Sequence, residues 1–105
     1  MFGKLLSYLR PAPATRLITI DVTKADIESG QQYRTQNCPI ALATSRAAKA
    51  DFLSVSPSGI TFRFGQNWYV ADLPSPARLF ITSFDMGGRV SPMSFTVTAY
   101  KRKGS

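Results

Sequence analysis

The segment from Ser75 to Val97 carries the strongest local pattern in this sequence, and it demands an apolar surface to pack on. Ser75 is predicted to cap a helix, because its hydroxyl can accept a hydrogen bond from a free backbone N–H and Pro76 already has the backbone angle of a first helical turn. Gly87 and Gly88 are predicted to end that helix in left-handed conformations. Between them, four apolar residues recur on one side of a helix: Ala77, Phe80, Ile81 and Phe84. A helix with such a stripe has to be buried against other elements.

Five stretches of alternating apolar and polar residues predict the strands that could provide this surface. The first runs from Arg16 to Val22, and the last begins near Phe95. Three more are predicted at 52–56, 60–64 and 68–72, with turns at Pro57-Ser58-Gly59 and Gly65-Gln66-Asn67 between them. The middle one of these three carries Ile60, Phe62 and Phe64 on one face, so we expect all three in the core.

Two further helices are predicted between the first and second strands. Thr23 and Asp26 have the spacing of a capping box, and Gly30 closes a helix of about two turns. Cys38 is predicted to precede a second helix that runs from Pro39 to about Lys49. Its narrow apolar line consists of Ile40, Ala43 and Ala47, whereas Ser45, Arg46 and Lys49 face outward.

This order of elements predicts the α+β class: a single domain with an antiparallel sheet of four to five strands and two main helices packed on one face. We expect three parts along the chain. Residues 1–15 form a basic amphipathic N-terminal arm with a Pro-rich spacer, residues 16–100 the α+β domain, and residues 101–105 a basic C-terminal tail.

The N-terminal arm has a short apolar stripe that is too short to be stable as an isolated helix. Three surfaces remain open for its docking: its own domain, a partner chain or second copy, and a lipid surface. The stripe consists of Phe2, Leu5, Leu6 and Leu9 and ends before Pro11-Ala12-Pro13.

Positive charge is concentrated near the two ends of the chain. The net charge is +7, yet the residues between Arg16 and Lys101 contain nearly as many acidic as basic side chains. Basic ends favour solubility in general and also attract polyanions such as nucleic acid. The predicted phosphate contacts are Lys4, Arg10, Arg16, Lys101, Arg102 and Lys103.

A basic and aromatic stretch in the predicted sheet adds a second type of contact. Arg63 lies between Phe62 and Phe64 and should point away from Phe62, and Trp68-Tyr69 follows. Aromatic and arginine side chains on a sheet can stack on unpaired bases and neutralise phosphate, although the same rings could form the core. Arg63 and Tyr69 are therefore further candidates for nucleic-acid contacts.

The residues that could take part in catalysis do not favour an enzyme. The sequence has no histidine, and its six carboxylates form no cluster. No metal, cofactor or small-molecule substrate is therefore expected. Cys38 is either a thiol activated at a helix N-terminus or a small buried apolar residue.

Four short motifs resemble a set of small uncharacterised proteins encoded by phages and prophages. They are V-T-K-A-D-I-E-S-G (Val22 to Gly30), C-P-I-A-L-A (Cys38 to Ala43), L-P-S-P-A-R-L-F-I-T-S-F-D (Leu73 to Asp85) and V-S-P-M-S-F (Val90 to Phe95). That set shares V-T-x-x-D-I-x-x-G, C-P-(I/V)-A-L-A and A-R-x-F-(I/V)-x-x-F-D in the same order. The resemblance implies a common origin and fold, and it transfers no site residues because members of the set have no assigned activity.

Two functions follow as hypotheses. The first is a small non-enzymatic phage-type protein that binds nucleic acid, DNA rather than RNA, through its basic arms and largely without sequence preference. The second is a virion-associated or protein–protein interaction protein that docks through the N-terminal stripe on a phage protein or a second copy. No apolar run reaches the length of a membrane span, so a cytoplasmic location in the host cell, or one in the virion, is expected rather than a membrane.

Overall fold

The computed structural model describes residues 12–102. This part of the chain contains five strands and three helices joined by loops. The strands are β1 (Thr15–Val22), β2 (Phe52–Ser56), β3 (Gly59–Phe64), β4 (Asn67–Ala71) and β5 (Met93–Lys101). The helices are α1 (Lys24–Ser29), α2 (Pro39–Ala48) and α3 (Ser75–Asp85). The predicted α+β class is confirmed, with one five-stranded antiparallel sheet and two main helices.

The strands are arranged in the order β1-β5-β4-β3-β2, so the last strand of the chain lies in the middle of the sheet. β5 pairs with the whole length of β1, from Thr15 opposite Tyr100 to Val22 opposite Met93. It pairs with β4 at only two positions. The C-terminal strand therefore joins β1 to the β2–β4 meander through a short contact.

One face of the sheet and the helices enclose the core. In β1, Ile18, Ile20 and Val22 are buried, while the residues between them are exposed, as the alternation predicts. α2 packs against β1 and β2, and it is buried more broadly than the predicted narrow line. The largest fully buried side chains are Tyr69, Phe62, Ile20, Ile40, Ile60, Thr44 and Pro39.

Arg46 of α2 joins α1 and β1 to this core. Its guanidinium donates to both carboxylate oxygens of Asp26, at 3.0 and 2.8 Å, and to the Asp21 carbonyl oxygen at 3.0 Å. The predicted capping box is confirmed, since Asp26 N–H donates to the Thr23 hydroxyl and Thr23 N–H donates to the Asp26 carboxylate. The hydrogen bonds from Arg46 are the main reason why the pKa of the Asp26 carboxyl is lowered to about 2, and the hydrogen bonds with Thr23 add to the effect.

The start of α3 differs from the prediction. The capping position is Pro74, Ser75 is already the first helical residue, and no side chain caps this end. Pro74 and Pro76, on either side of Ser75, fix the chain before and inside the first turn. The Ala77 and Arg78 N–H groups both donate to the Pro74 carbonyl oxygen.

The end of α3 uses one left-handed glycine where two were predicted. Gly87 has a φ of +81° and follows the helix as expected, whereas Gly88 has no positive φ. Gly88 N–H instead donates to the Ser83 carbonyl oxygen at 2.7 Å, which satisfies one of the free carbonyls at the helix end. The predicted helix stop is correct in position, with a different contribution from the second glycine.

Several predictions fall outside the described residues. The apolar stripe of the N-terminal arm lies there, and so do Lys4, Arg10 and Lys103. The predicted boundary of the C-terminal tail shifts slightly, because β5 includes Lys101. Among residues 12–102, no helix is long and apolar enough to cross a membrane.

Candidate nucleic-acid interface

The face of the sheet opposite the core, called the open face below, presents an aromatic row across three strands. Arg63 is paired with Phe52 on one side and with Trp68 on the other. The Phe52 and Trp68 rings meet edge to face with centroids 5.5 Å apart, and the Arg63 guanidinium carbon lies 5.8 Å from the Trp68 centroid. These contacts fix the Trp68 ring on its β2 and β3 side.

The row continues to β5. Arg102 N–H donates to the Trp68 carbonyl oxygen at 2.8 Å, so Arg102 stands opposite Trp68 just beyond the end of the strand. Tyr100, one step along the same face, is paired with Val70 and is 57% exposed. The open face thus carries aromatic rings with arginines beside them.

A shallow hollow of about 330 Å³ adjoins the row. Its size is at the lower end of the range for small-ligand sites. Hydroxyl-bearing and small residues dominate its lining, which includes Ser54, Ser56, Ser58, Thr61, Val70, Asp72 and Tyr100. Such a surface offers hydrogen-bonding groups next to the rings.

Among the described residues, the balance of basic and acidic side chains differs between the two ends of the sheet. At one end of the sheet, β1 and β2 begin and β3 and β5 finish, as the hydrogen bonds from Lys101 N–H to Ala14 O and from Asp51 N–H to Arg63 O show. We call it the cationic end, and its basic residues are Arg16, Lys49, Arg63, Lys101 and Arg102. Its single carboxylate, Asp51, accepts a hydrogen bond from Gly65 N–H, and the other five carboxylates lie toward the opposite end.

Arg63 lies where the sequence predicts it, exposed and pointing away from the buried Phe62. The prediction for Tyr69 as an exposed contact is wrong. Its ring is fully buried and stacks on Phe62 at 5.2 Å, and its hydroxyl donates to the Pro13 carbonyl oxygen at 2.9 Å. Strand alternation puts the adjacent Trp68 on the open face instead.

Arg16, also predicted as a phosphate contact, belongs to β1 and faces the core side. Its guanidinium carbon lies 4.7 Å from the centroid of Phe64, and the group donates to the Ala48 carbonyl oxygen at 3.2 Å. Phe64 is 43% exposed rather than buried, so the arginine covers the end of the core there. Arg16 adds charge at the cationic end but is not part of a free arm.

Cys38 is buried, and its sulfur accepts a hydrogen bond from Ala41 N–H at 3.4 Å. Burial raises the pKa of this thiol, which favours the buried apolar alternative over the activated one. A cavity of about 190 Å³ lies next to it. Among residues 12–102, no three side chains of histidine, cysteine, aspartate or glutamate come together as a metal site would require.

The fold and this surface define a class: a small α+β protein with helices on one face of an antiparallel sheet and a basic, aromatic open face. A scan against models of protein families gives no match to the chain, and searches of curated proteins and of solved structures give none either. The resemblance to phage-encoded proteins stays a prediction from the sequence motifs.

Proposed function

We propose that this protein binds nucleic acid without catalysis, with DNA as the expected polymer, through the cationic end of its sheet. The observation that carries the proposal is the grouping of five basic residues against one carboxylate at that end. The sequence continues from there into Arg10 and Lys4 on one side and Lys103 on the other. Charges on the sheet and on both arms would then act together.

The chemistry of these side chains suits phosphates. Arginine guanidinium groups bind phosphate oxygens in pairs, and lysine ammonium groups act as point charges. Such contacts release counterions and carry no sequence information by themselves. Binding at the cationic end is therefore largely independent of sequence and strongly dependent on salt.

The non-enzymatic part of the proposal rests on the side chains available for chemistry. The sequence has no histidine, and Cys38 is buried with a raised pKa. The carboxyl with the strongly lowered pKa, Asp26, is engaged by Arg46 in the core structure and does not face the open face. These groups hold the fold together rather than forming an acid–base pair.

The test is a titration of labelled DNA followed by fluorescence anisotropy at several salt concentrations. Lys101→Ala combined with Arg102→Ala should weaken binding and should reduce the steepness of the log–log salt dependence by about 1.4 on single strands, if both side chains contact phosphates. The backbone hydrogen bonds of both residues survive these substitutions, so the sheet is preserved.

Lys24→Ala combined with Arg89→Ala is the matched control, because it removes the same charge from exposed positions toward the other end of the sheet. The proposal requires the control to keep nearly the wild-type salt dependence. Equal losses in the two double variants would show that only net charge matters, and no binding at low salt would contradict the proposal as a whole. Phage origin, location and docking through the N-terminal stripe stay predictions.

A further inference from the structure

Apolar and aromatic side chains on the open face have no helix over them in the described residues. Tyr100 is 57% exposed, Phe52 and Val70 are each 38% exposed, and Trp68 is half-buried beside them. Single exposed apolar residues are ordinary, but an aromatic group set between cations indicates a binding surface. Arg63 lies within the group and Arg102 stands at its border.

We propose that the open face binds single-stranded DNA by stacking unpaired bases on Trp68 and Tyr100. This inference rests on the proposed function, since the basic residues at the cationic end would hold the phosphates of the same strand. Stacking needs no 2′-hydroxyl, so DNA suffices as the ligand, and every base offers a π-face to the rings.

The geometry around Trp68 leaves room for a base. Phe52 and Arg63 contact its ring from the side of β2 and β3. On the β5 side, Tyr100 is its diagonal neighbour, because Tyr100 pairs with Val70, two residues along from Trp68. Diagonal residue positions on a sheet lie about 7–8 Å apart, roughly twice the 3.4 Å rise of a nucleic-acid strand, so rings that stand upright at this spacing would admit one base plane between them.

Electrostatics favours an anionic ligand over a neutral or basic protein segment at this place, and the exposed rings suit the bases of a nucleic acid. Arg63 and Arg102 would lie beside the backbone of a strand that crosses the aromatic row, whereas Asp72 borders the hollow on the far side. We therefore expect the DNA strand to lie near the cationic end, where the hydroxyls of Ser54 and Thr61 can form hydrogen bonds with base edges. A duplex keeps its bases inside its own stack, so it would use only the phosphate contacts.

Trp68 is the only tryptophan of the chain, which makes its fluorescence a direct probe of this face. The experiment titrates the full chain with an oligothymidine strand, a DNA duplex and a single-stranded RNA of equal length at one low salt concentration. We expect the single DNA strand to quench Trp68 emission, and the duplex to bind by anisotropy without quenching. RNA that binds more than tenfold tighter than DNA would overturn the assignment to DNA.

Tyr100→Ala tests the stacking without disturbing the core, because the side chain is exposed. It should weaken single-strand binding about 5- to 150-fold and leave duplex affinity and salt dependence unchanged. Tyr33→Ala, which removes another exposed tyrosine from the loop before α2, is the matched control and should have no effect.

Besides tighter RNA binding, three results would overturn this inference while leaving the proposed function standing. The first is equal affinity for single and double strands with unchanged Trp68 emission. The second is a Trp68 signal that responds to deletion of residues 1–11 and not to DNA, and the third is one that responds only to protein concentration. The latter two would assign the face to the chain's own N-terminal segment or to a second copy. Loss of all salt-dependent binding would instead contradict the proposed function.

Discussion

Asp26 and Arg46 form the most strongly linked polar pair among the described side chains, and the pair makes stability depend on pH. Asp26 is buried and has a pKa of about 2 in the folded protein, against 3.8 for the free group. A depressed carboxyl pKa stabilises the folded state fully above about pH 4, and this contribution is lost as the pH falls toward 2. The difference corresponds to about 2 kcal/mol of the free energy of unfolding.

We therefore predict that Asp26→Asn, which keeps the size of the side chain, lowers the free energy of unfolding by about 2 kcal/mol at neutral pH. The difference between variant and wild type should shrink as the pH approaches 2, because the wild-type carboxyl is then protonated as well. Urea denaturation at a series of pH values measures this. A difference that stays constant with pH would show that packing, and not ionisation, sets the contribution of Asp26.

Replacing each of two glycines in the meander by alanine should lower the free energy of unfolding by different amounts. Gly59 has a φ of +152°, and a Cβ there would lie 2.7 Å from the Ala71 carbonyl oxygen. Gly65 has a φ of +63° with no atom within 4 Å of that position. Gly65→Ala should cost about 1 kcal/mol for the left-handed backbone alone, and Gly59→Ala about 3 kcal/mol because steric overlap is added. Equal costs in chemical denaturation would contradict the steric argument.

The elements themselves are largely readable from the sequence, since each depends on local chemistry. Alternation locates β1, and the capping box locates α1 by two hydrogen bonds between neighbours in sequence. The order of the strands is not readable in this way. That β5 lies between β1 and β4 depends on pairing between residues far apart in the chain, for which no local pattern exists.

The candidate site shows the same limit at β4. Trp68, Tyr69 and Val70 are all hydrophobic or aromatic. Strand geometry therefore shows that neighbouring side chains point to opposite faces, but the sequence does not show which face is buried. The pairing of Tyr69 with the buried Phe62 decides this, and it places Trp68 on the open face. A two-residue Gly65-Gln66 turn pairs Phe64 with Asn67 and therefore Phe62 with Tyr69, whereas the predicted three-residue turn Gly65-Gln66-Asn67 would shift the register by one residue and turn Trp68 toward the core.

At the scale of the whole molecule, the sheet consists of two parts with a short junction. β1 and β5 pair along eight positions, and β2, β3 and β4 form the meander. The register between β4 and β5 covers only Tyr69 opposite Lys101 and Val70 opposite Tyr100, with the Arg102 N–H bond to Trp68 beyond it. α2, which packs on both β1 and β2, holds the two parts together from the core side.

This arrangement predicts that the basic C-terminal residues are structural as well as charged. A chain that ends at Tyr100 loses the hydrogen bond from Lys101 N–H to Ala14 O and the one from Arg102 N–H to Trp68 O. Two backbone hydrogen bonds contribute about 1–3 kcal/mol together, so the free energy of unfolding should fall by that amount. A chain that ends at Arg102 keeps both bonds and should match the wild type in thermal and urea denaturation. Equal stability of the two truncated chains would mean that the junction does not depend on these residues. Either way, the role of charge at this end is better tested by side-chain substitution than by truncation, because only substitution leaves the β4–β5 pairing in place.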